Sequence, residues 1–264
     1  MRIGIDVRVL LSPYRTGVAE YTYEFLRELF LTPHAHEYFL FSNGIGKTRP
    51  TLPTLPPSAR LHHISLPNKV LNTLWYLRRG PTVEDFLHQE LDYFFSPNPN
   101  FVRLRPTTKH IMTIHDLSFL LFPDCFTRRQ RFWHSLVNPK MQSSGAHRIV
   151  VPSESTKRDV VALYHISSEK IQVLSPGLSG LWSLPIPTEM KISEVRRNYH
   201  LPEKYILFFG TVEPRKNIGG LLNAFIGSSK LALAGYNLVI AGAPGWENPT
   251  ILRALKKTPL VTHL

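Results

Sequence analysis

Residues 148–164 read Arg148-Ile149-Val150-Val151-Pro152-Ser153-Glu154-Ser155-Thr156-Lys157-Arg158-Asp159-Val160-Val161-Ala162-Leu163-Tyr164, and this stretch holds the fold in miniature. The first four residues predict a short strand without in-and-out alternation, as strands buried on both faces of a parallel sheet read. Pro152 ends the strand and Ser153 is a helix N-cap residue. A helix to Tyr164 follows, with Val160, Val161 and Tyr164 predicted to turn inward. Buried strand, tight turn and capped helix together make the repeating unit of α/β architecture.

The same alternation extends in both directions. Apolar runs at residues 2–7, 38–41, 61–64, 93–95, 110–114 and 171–174 predict further strands. Residues 17–31 predict a helix with Val18, Tyr21, Phe25 and Leu29 on one stripe and Glu20, Glu24, Arg27 and Glu28 on the other side. The expectation over residues 1–180 is a complete doubly wound parallel-sheet domain with right-handed crossovers. Leu184-Pro185-Ile186-Pro187 breaks the rhythm and marks a linker over 181–203, which includes a short charged helix. A second, Rossmann-like unit opens at 204, with strands at 205–209 and 238–241 and helices at 218–226 and 249–257. A third strand is entered at 261–264. Two and a half strands do not close a sheet, so the expectation is a domain cut within its body.

Composition bounds the function. Of 264 residues 43 % are apolar, enough for a packed core and against a disordered or low-complexity chain. The net charge of +12 points to an anionic partner: phosphate, nucleic acid or an acidic lipid surface. A single cysteine, Cys125, excludes a disulfide framework or a cysteine zinc cluster and reads as a small buried apolar side chain. No apolar run approaches the ~20 residues of a membrane span. Asp6 comes too early for a secretory signal.

In a doubly wound sheet ligands bind outside the carboxyl ends of the strands, which singles out the loops to inspect. Gly17, after Arg15-Thr16, lets a ligand approach free N–H groups at a helix N-terminus, or is an ordinary turn. His115, ending an apolar strand, suits a sugar hydroxyl or a proton-transfer role, or is a satisfied strand-end histidine; Asp116 either orients it or caps the turn. Glu213-Pro214-Arg215-Lys216-Asn217 lies between a strand and a helix, where two adjacent cations suit a diphosphate, or forms a solvated loop. Residues 101–160 carry ten Lys or Arg against four acids, half of the net charge. Within them Arg128, Arg129 and Arg131 adjoin Phe132 and Trp133. That pattern suits an acceptor or an anionic membrane surface, or a solvated face with Trp133 in the core. Among the six aspartates there is no Asp-x-Asp pair, and no Gly-x-Gly-x-x-Gly or Walker loop is present.

Four motifs together resemble the family 4 glycosyltransferases of the GT-B fold, in their mannosyltransferase-like form. They are Thr16-Gly17-Val18-Ala19-Glu20-Tyr21, Thr113-Ile114-His115-Asp116-Leu117, Val151-Pro152-Ser153-Glu154-Ser155-Thr156-Lys157-Arg158-Asp159 and Phe209-Gly210-Thr211-Val212-Glu213-Pro214-Arg215-Lys216-Asn217. The resemblance implies a retaining transfer of a sugar, with mannose favoured, from a nucleotide-sugar donor (GDP-mannose or a UDP-sugar) to a glycan or lipid-linked acceptor in surface or exopolysaccharide biosynthesis. It implies that Gly17 faces the donor diphosphate, that His115 contacts a donor-sugar hydroxyl and is the catalytic-site residue, and that Lys216 neutralises the diphosphate. Thr211 stands where many members have arginine, and Arg215 is expected to supply that charge. No metal or other cofactor is expected, and no nucleic acid. The expected place is the cytoplasm, peripheral at the inner face of the membrane. Relatives carry a Glu-x7-Glu motif later in the second domain, and the resemblance implies an incomplete nucleotide pocket without it. The competing expectation is a non-catalytic basic module that binds a membrane surface or another protein.

Overall fold

Seven strands form one all-parallel sheet: β1 (Arg2–Asp6), β2 (Glu37–Asn43), β3 (Ala59–Ile64), β4 (Tyr93–Ser96), β5 (Lys109–Thr113), β6 (Arg148–Val151) and β7 (Ile171–Val173). Their spatial order is β3-β2-β1-β4-β5-β6-β7. The structure, a computed structural model, describes residues 1–12, 16–33, 35–46, 49–180, 184–242, 245, 253 and 261–263. The chain divides into two compact units, Met1–Ser118 with Phe132–Ser179, and Phe119–Arg131 with Gly180–Leu264.

Period-two alternation sends the apolar residues of one strand to two different cores. Phe39 and Phe41 of β2 and Phe94 of β4 join Leu71, Trp75, Val83 and Leu87 on one side. Tyr38 and Leu40 of β2 and Phe95 of β4 join Ile5, Val7, Ala19 and Leu26 on the other. Each such side chain contributes about 1.5–3 kcal/mol on full burial. Gly4 of β1 serves this packing, since a Cβ there would lie 2.6 Å from both Leu91 and Phe94. Past the end of β1, the buried Arg8 donates through Nε (2.9 Å) and Nη2 (2.6 Å) to the buried Asp6 carboxylate. The same Nη2 reaches the Phe101 carbonyl at 2.8 Å, and the guanidinium lies over the rings of Phe41 and Trp75.

The helices up to residue 164 are α1 (Gly17–Leu31), α2 (Asn68–Tyr76), α3 (Val83–Leu87), α4 (Ser118–Leu121), α5 (Arg128–Val137), α6 (Pro139–Gly145) and α7 (Glu154–Tyr164). Two inward faces differ from expectation. On α1 the buried residues are Ala19, Thr22 and Leu26, while Tyr21, Phe25 and Leu29 flank them half-buried. Small residues at the centre of the face let the helix axis approach the sheet, and the large side chains spread to its sides. On α7 Thr156, Val160 and Tyr164 are buried at i, i+4 and i+8, and Val161, one residue off that row, is exposed. Cys125, expected in the core, is half-buried on a short 3-10 turn.

In the second unit α8 (Glu189–Asn198) precedes β8 (Tyr205–Phe209), α9 (Ile218–Ile226), α10 (Ser229–Leu233), β9 (Asn237–Ala241) and β10 (Val261–His263). The three strands are parallel in the order β10-β9-β8. Ile218, Leu222 and Phe225 of α9 pack with Val212, Leu238 and Ile240. The helix expected at 249–257 lies outside the described residues, except for Arg253.

Candidate functional site

The chain runs from β1 outward to β3 and returns on the other side of β1 as β4. In doubly wound sheets such a reversal is where ligands bind, outside the carboxyl ends of the flanking strands, here β1 and β4. His115 stands at this edge, just past β5. Ile114 extends the ladder through its N–H to the Val150 carbonyl at 2.9 Å, and Ile114 and Leu117 are buried on either side of the half-buried histidine. His115 Nε2 lies 2.8 Å from the Pro97 carbonyl oxygen, in the loop after β4. A carbonyl only accepts, so Nε2 carries the proton, and Nδ1 of the neutral ring is an acceptor. Burial pushes the imidazole pKa down, against the opposing effects of the Pro97 bond and the Asp116 charge, so the ring is mainly neutral at pH 7. The Tyr21 ring meets His115 edge-on, 4.9 Å between centroids.

Asp116 fills the capping role: one carboxylate oxygen accepts from the Ser118 N–H at 2.9 Å and the Ser118 hydroxyl at 2.5 Å. Gly17 is the exposed first residue of α1, with Thr16 as N-cap accepting from the Ala19 N–H at 3.3 Å. Among the described residues a Cβ on Gly17 would meet nothing within 4 Å. Arg15 lies outside the described residues.

In the second unit the loop after β8 buries Val212 and Glu213, turns through Pro214–Lys216, and enters α9 at Asn217. Asn217 has left-handed backbone (φ 49°) and caps α9 by accepting from the Gly220 N–H at 3.2 Å. Gly220 leaves room for that cap, since a Cβ there would lie 2.6 Å from the Asn217 amide. Arg215 donates to the Glu213 carboxylate at 2.7 Å. Lys216 is exposed, and among the described residues its side chain makes no hydrogen bond or ion pair.

Arg128, Arg129 and Arg131 are exposed along α5, with Phe132 at 65 % and Trp133 at 37 % exposure. Trp133 is therefore not a core residue; its ring meets His134 edge-on at 5.0 Å. The polar face of this short helix is too basic, and its apolar residues too few, to bury the indole.

Three contributors escaped sequence reading: the Pro97 carbonyl, the Tyr21 ring and the Thr156 hydroxyl, which donates to the His115 carbonyl at 3.2 Å. One signal was available. The loop after the 93–95 strand ends at the same sheet edge as the loops that carry Gly17 and His115.

The glycosyltransferase family 4 model matches residues 15–179, more than half of the chain. The chain belongs to glycosyltransferase family 4. This family 4 chain is 24 % identical over 257 residues to the O-antigen chain mannosyltransferase B of Escherichia coli, covering 92 % of the chain and 64 % of that relative. It is 26 % identical over 117 residues to the serotype-specific mannosyltransferase WbdA of Escherichia coli, covering 44 % of the chain and 14 % of that protein. The family 4 chain thus spans less than two thirds of either relative. Among solved structures it resembles Anabaena Alr3699/HepE in complex with UDP and glucose (TM-score 0.59, 12 % identity, all of this chain and 69 % of that one). It also resembles WaaG, a glycosyltransferase involved in lipopolysaccharide biosynthesis (TM-score 0.57, 14 % identity, all of this chain and 70 % of that one). The fold is the α/β fold of the GT-B glycosyltransferases.

Proposed function

We propose that this family 4 protein transfers a sugar from a nucleotide-sugar donor to a glycan or lipid-linked acceptor during assembly of a surface polysaccharide. The observation that carries this reading is Lys216, an exposed cation without a partner among the described residues at the capped start of α9. A helix N-terminus with an uncommitted cation suits a diphosphate. Arg215 adds charge beside it, partly balanced by Glu213. In the first unit, taken by itself, Gly17 leaves the backbone open at the start of α1, and His115 presents Nδ1 as the acceptor for a sugar hydroxyl.

The step is a retaining one. The bond from the anomeric carbon to the diphosphate oxygen breaks, and the acceptor oxygen bonds to that carbon on the same face. The acceptor proton passes to the departing phosphate oxygen. Cations and helix N-termini stabilise the developing charge, with neither a protein nucleophile nor a metal in the step. GDP-mannose is the favoured donor, on the strength of relatives named mannosyltransferases, and a UDP-sugar is the competitor, since a structural neighbour holds UDP and glucose.

Calorimetry with GDP-mannose, UDP-glucose and free GDP tests the reading. A nucleotide sugar should bind, and Lys216→Ala should weaken binding at least about tenfold, the scale of one charged hydrogen bond. Equal affinity for wild type and variant, or no binding by any of the three, overturns it.

A second reading is favoured by the exposed Phe132 and Trp133 beside Arg128, Arg129 and Arg131: peripheral attachment to an anionic membrane, at the inner face. No helix among the described residues is long and apolar enough to cross a membrane. Flotation with anionic vesicles should capture the chain, and high salt should release it. Capture that ignores lipid charge and salt sinks this reading.

A further inference from the structure

We propose that Thr156 is a positioning residue that fixes the aim of His115. The proposal rests on the reading of His115 as the acceptor of a donor-sugar hydroxyl. Ser153 alone is enough to cap α7, since its Oγ accepts from the Thr156 N–H at 3.1 Å. At Thr156, the third residue of the helix, a capping box would place a Glu or Gln that reaches back to the cap. Here the residue is a buried threonine whose Oγ1 lies 3.2 Å from the His115 carbonyl oxygen and 3.1 Å from Ser153 Oγ. The carbonyl can only accept, so the single Thr156 hydroxyl proton goes to it. The contact between the two hydroxyls then uses the Ser153 proton. Hydrogen bonds therefore run one way, from Ser153 to Thr156 to the His115 main chain.

His115 is held at both ends by elements from three parts of the first unit. Its carbonyl is held from α7, its Nε2–H from the loop after β4, and its ring by a near-perpendicular contact with Tyr21 of α1. With the main chain pinned and Nε2 engaged, the ring cannot turn, and Nδ1 keeps one direction. A site held within a fraction of an ångström by such supporting contacts needs no reorganisation when a ligand binds. Thr156→Val keeps the shape of the side chain and removes the O–H, which leaves the His115 carbonyl without this donor.

Imidazole 15N–1H NMR of the whole chain at pH 7 tests the proposal without any substrate. Wild type should show His115 as the Nε2–H tautomer with an unprotonated Nδ1. Thr156→Val should raise the Nδ1–H tautomer several-fold, Thr156→Ala should do the same, and Thr156→Ser should restore the wild-type signal. Ser153→Ala is the control: it removes the cap and lowers the unfolding midpoint but leaves the tautomer unchanged. Wild-type tautomer in both Thr156→Val and Thr156→Ala, with only a lowered midpoint, overturns the proposal and leaves Thr156 as helix packing alone. A tautomer shift in a chain that binds no nucleotide sugar leaves the positioning role standing and removes the sugar-transfer reading.

Discussion

Strands β2 and β8 are made of the same kinds of residue and have opposite fates. Six of the seven residues of β2 are buried. In β8, Tyr-Ile-Leu-Phe-Phe, none is, and Leu207 and Phe209 are 54 % and 79 % exposed. The difference lies in their neighbours. β2 pairs with β1 and β3 and feeds a core on each face. β8 is an edge strand among the described residues, pairs with β9, and sends Phe208 to the α9 core. An apolar run identifies a strand of a parallel sheet; partners on both edges and both faces decide whether it is buried.

The largest test of this contrast is the ion pair at the end of β1. Arg8→Ala leaves the Asp6 carboxylate buried without its partner and should cost the first unit about 3–5 kcal/mol in urea unfolding. A loss near zero would mean that this end of the sheet is open to water, as β8 is. The direct comparison comes next. Phe41→Ala should cost about 3–5 kcal/mol, and Phe209→Ala should stay within about 0.5 kcal/mol. Equal losses would break the contrast.

A titration sharpens it further. Burial pushes the His110 imidazole down to about 4, and its Nε2 lies 2.9 Å from Ser96 Oγ. The unfolded chain then binds this proton more readily than the folded one. The stability His110 contributes is complete above its unfolded pKa of about 6.5 and is lost as pH falls toward about 4, by on the order of 3 kcal/mol. His110→Gln should flatten the pH dependence of urea unfolding over that window; an unchanged slope would place the histidine in water. The smallest effects are at the caps. Asn217→Ala loses a cap and also puts alanine in left-handed backbone (φ 49°), for about 2 kcal/mol, whereas Ser153→Ala loses a cap alone, for about 1 kcal/mol. Thermal unfolding of the two variants should show that order, and a reversed order would sink the argument from backbone.

The run of three β-branched residues at Ile149, Val150 and Val151 needs no partner to be read, and strands of this type were legible within a residue or two throughout the first unit. The first turn of α1, the 213–217 loop and the strand-end histidine were legible for the same reason, since each is a local arrangement of neighbours in the chain. The grip on His115 was not. It joins Pro97, Tyr21 and Thr156, the last 41 residues away, and a loop such as Pro97-Asn98-Pro99-Asn100 reads only as a turn. The inward face of α1 was displaced for a related reason: helical periodicity marks an apolar stripe but not which part of it lies nearest the sheet.

Local chemistry thus determined which segments are strands, where the helices begin, and that a loop with two cations precedes α9. Only the tertiary structure decided the strand order that places β4 beside β1, the need for glycine at position 4, the burial of Arg8 and the tautomer of His115. The first set depends on interactions between residues a few positions apart, which the chain carries wherever it is. The second depends on which distant atoms come within a few ångströms of each other, and packing alone sets that.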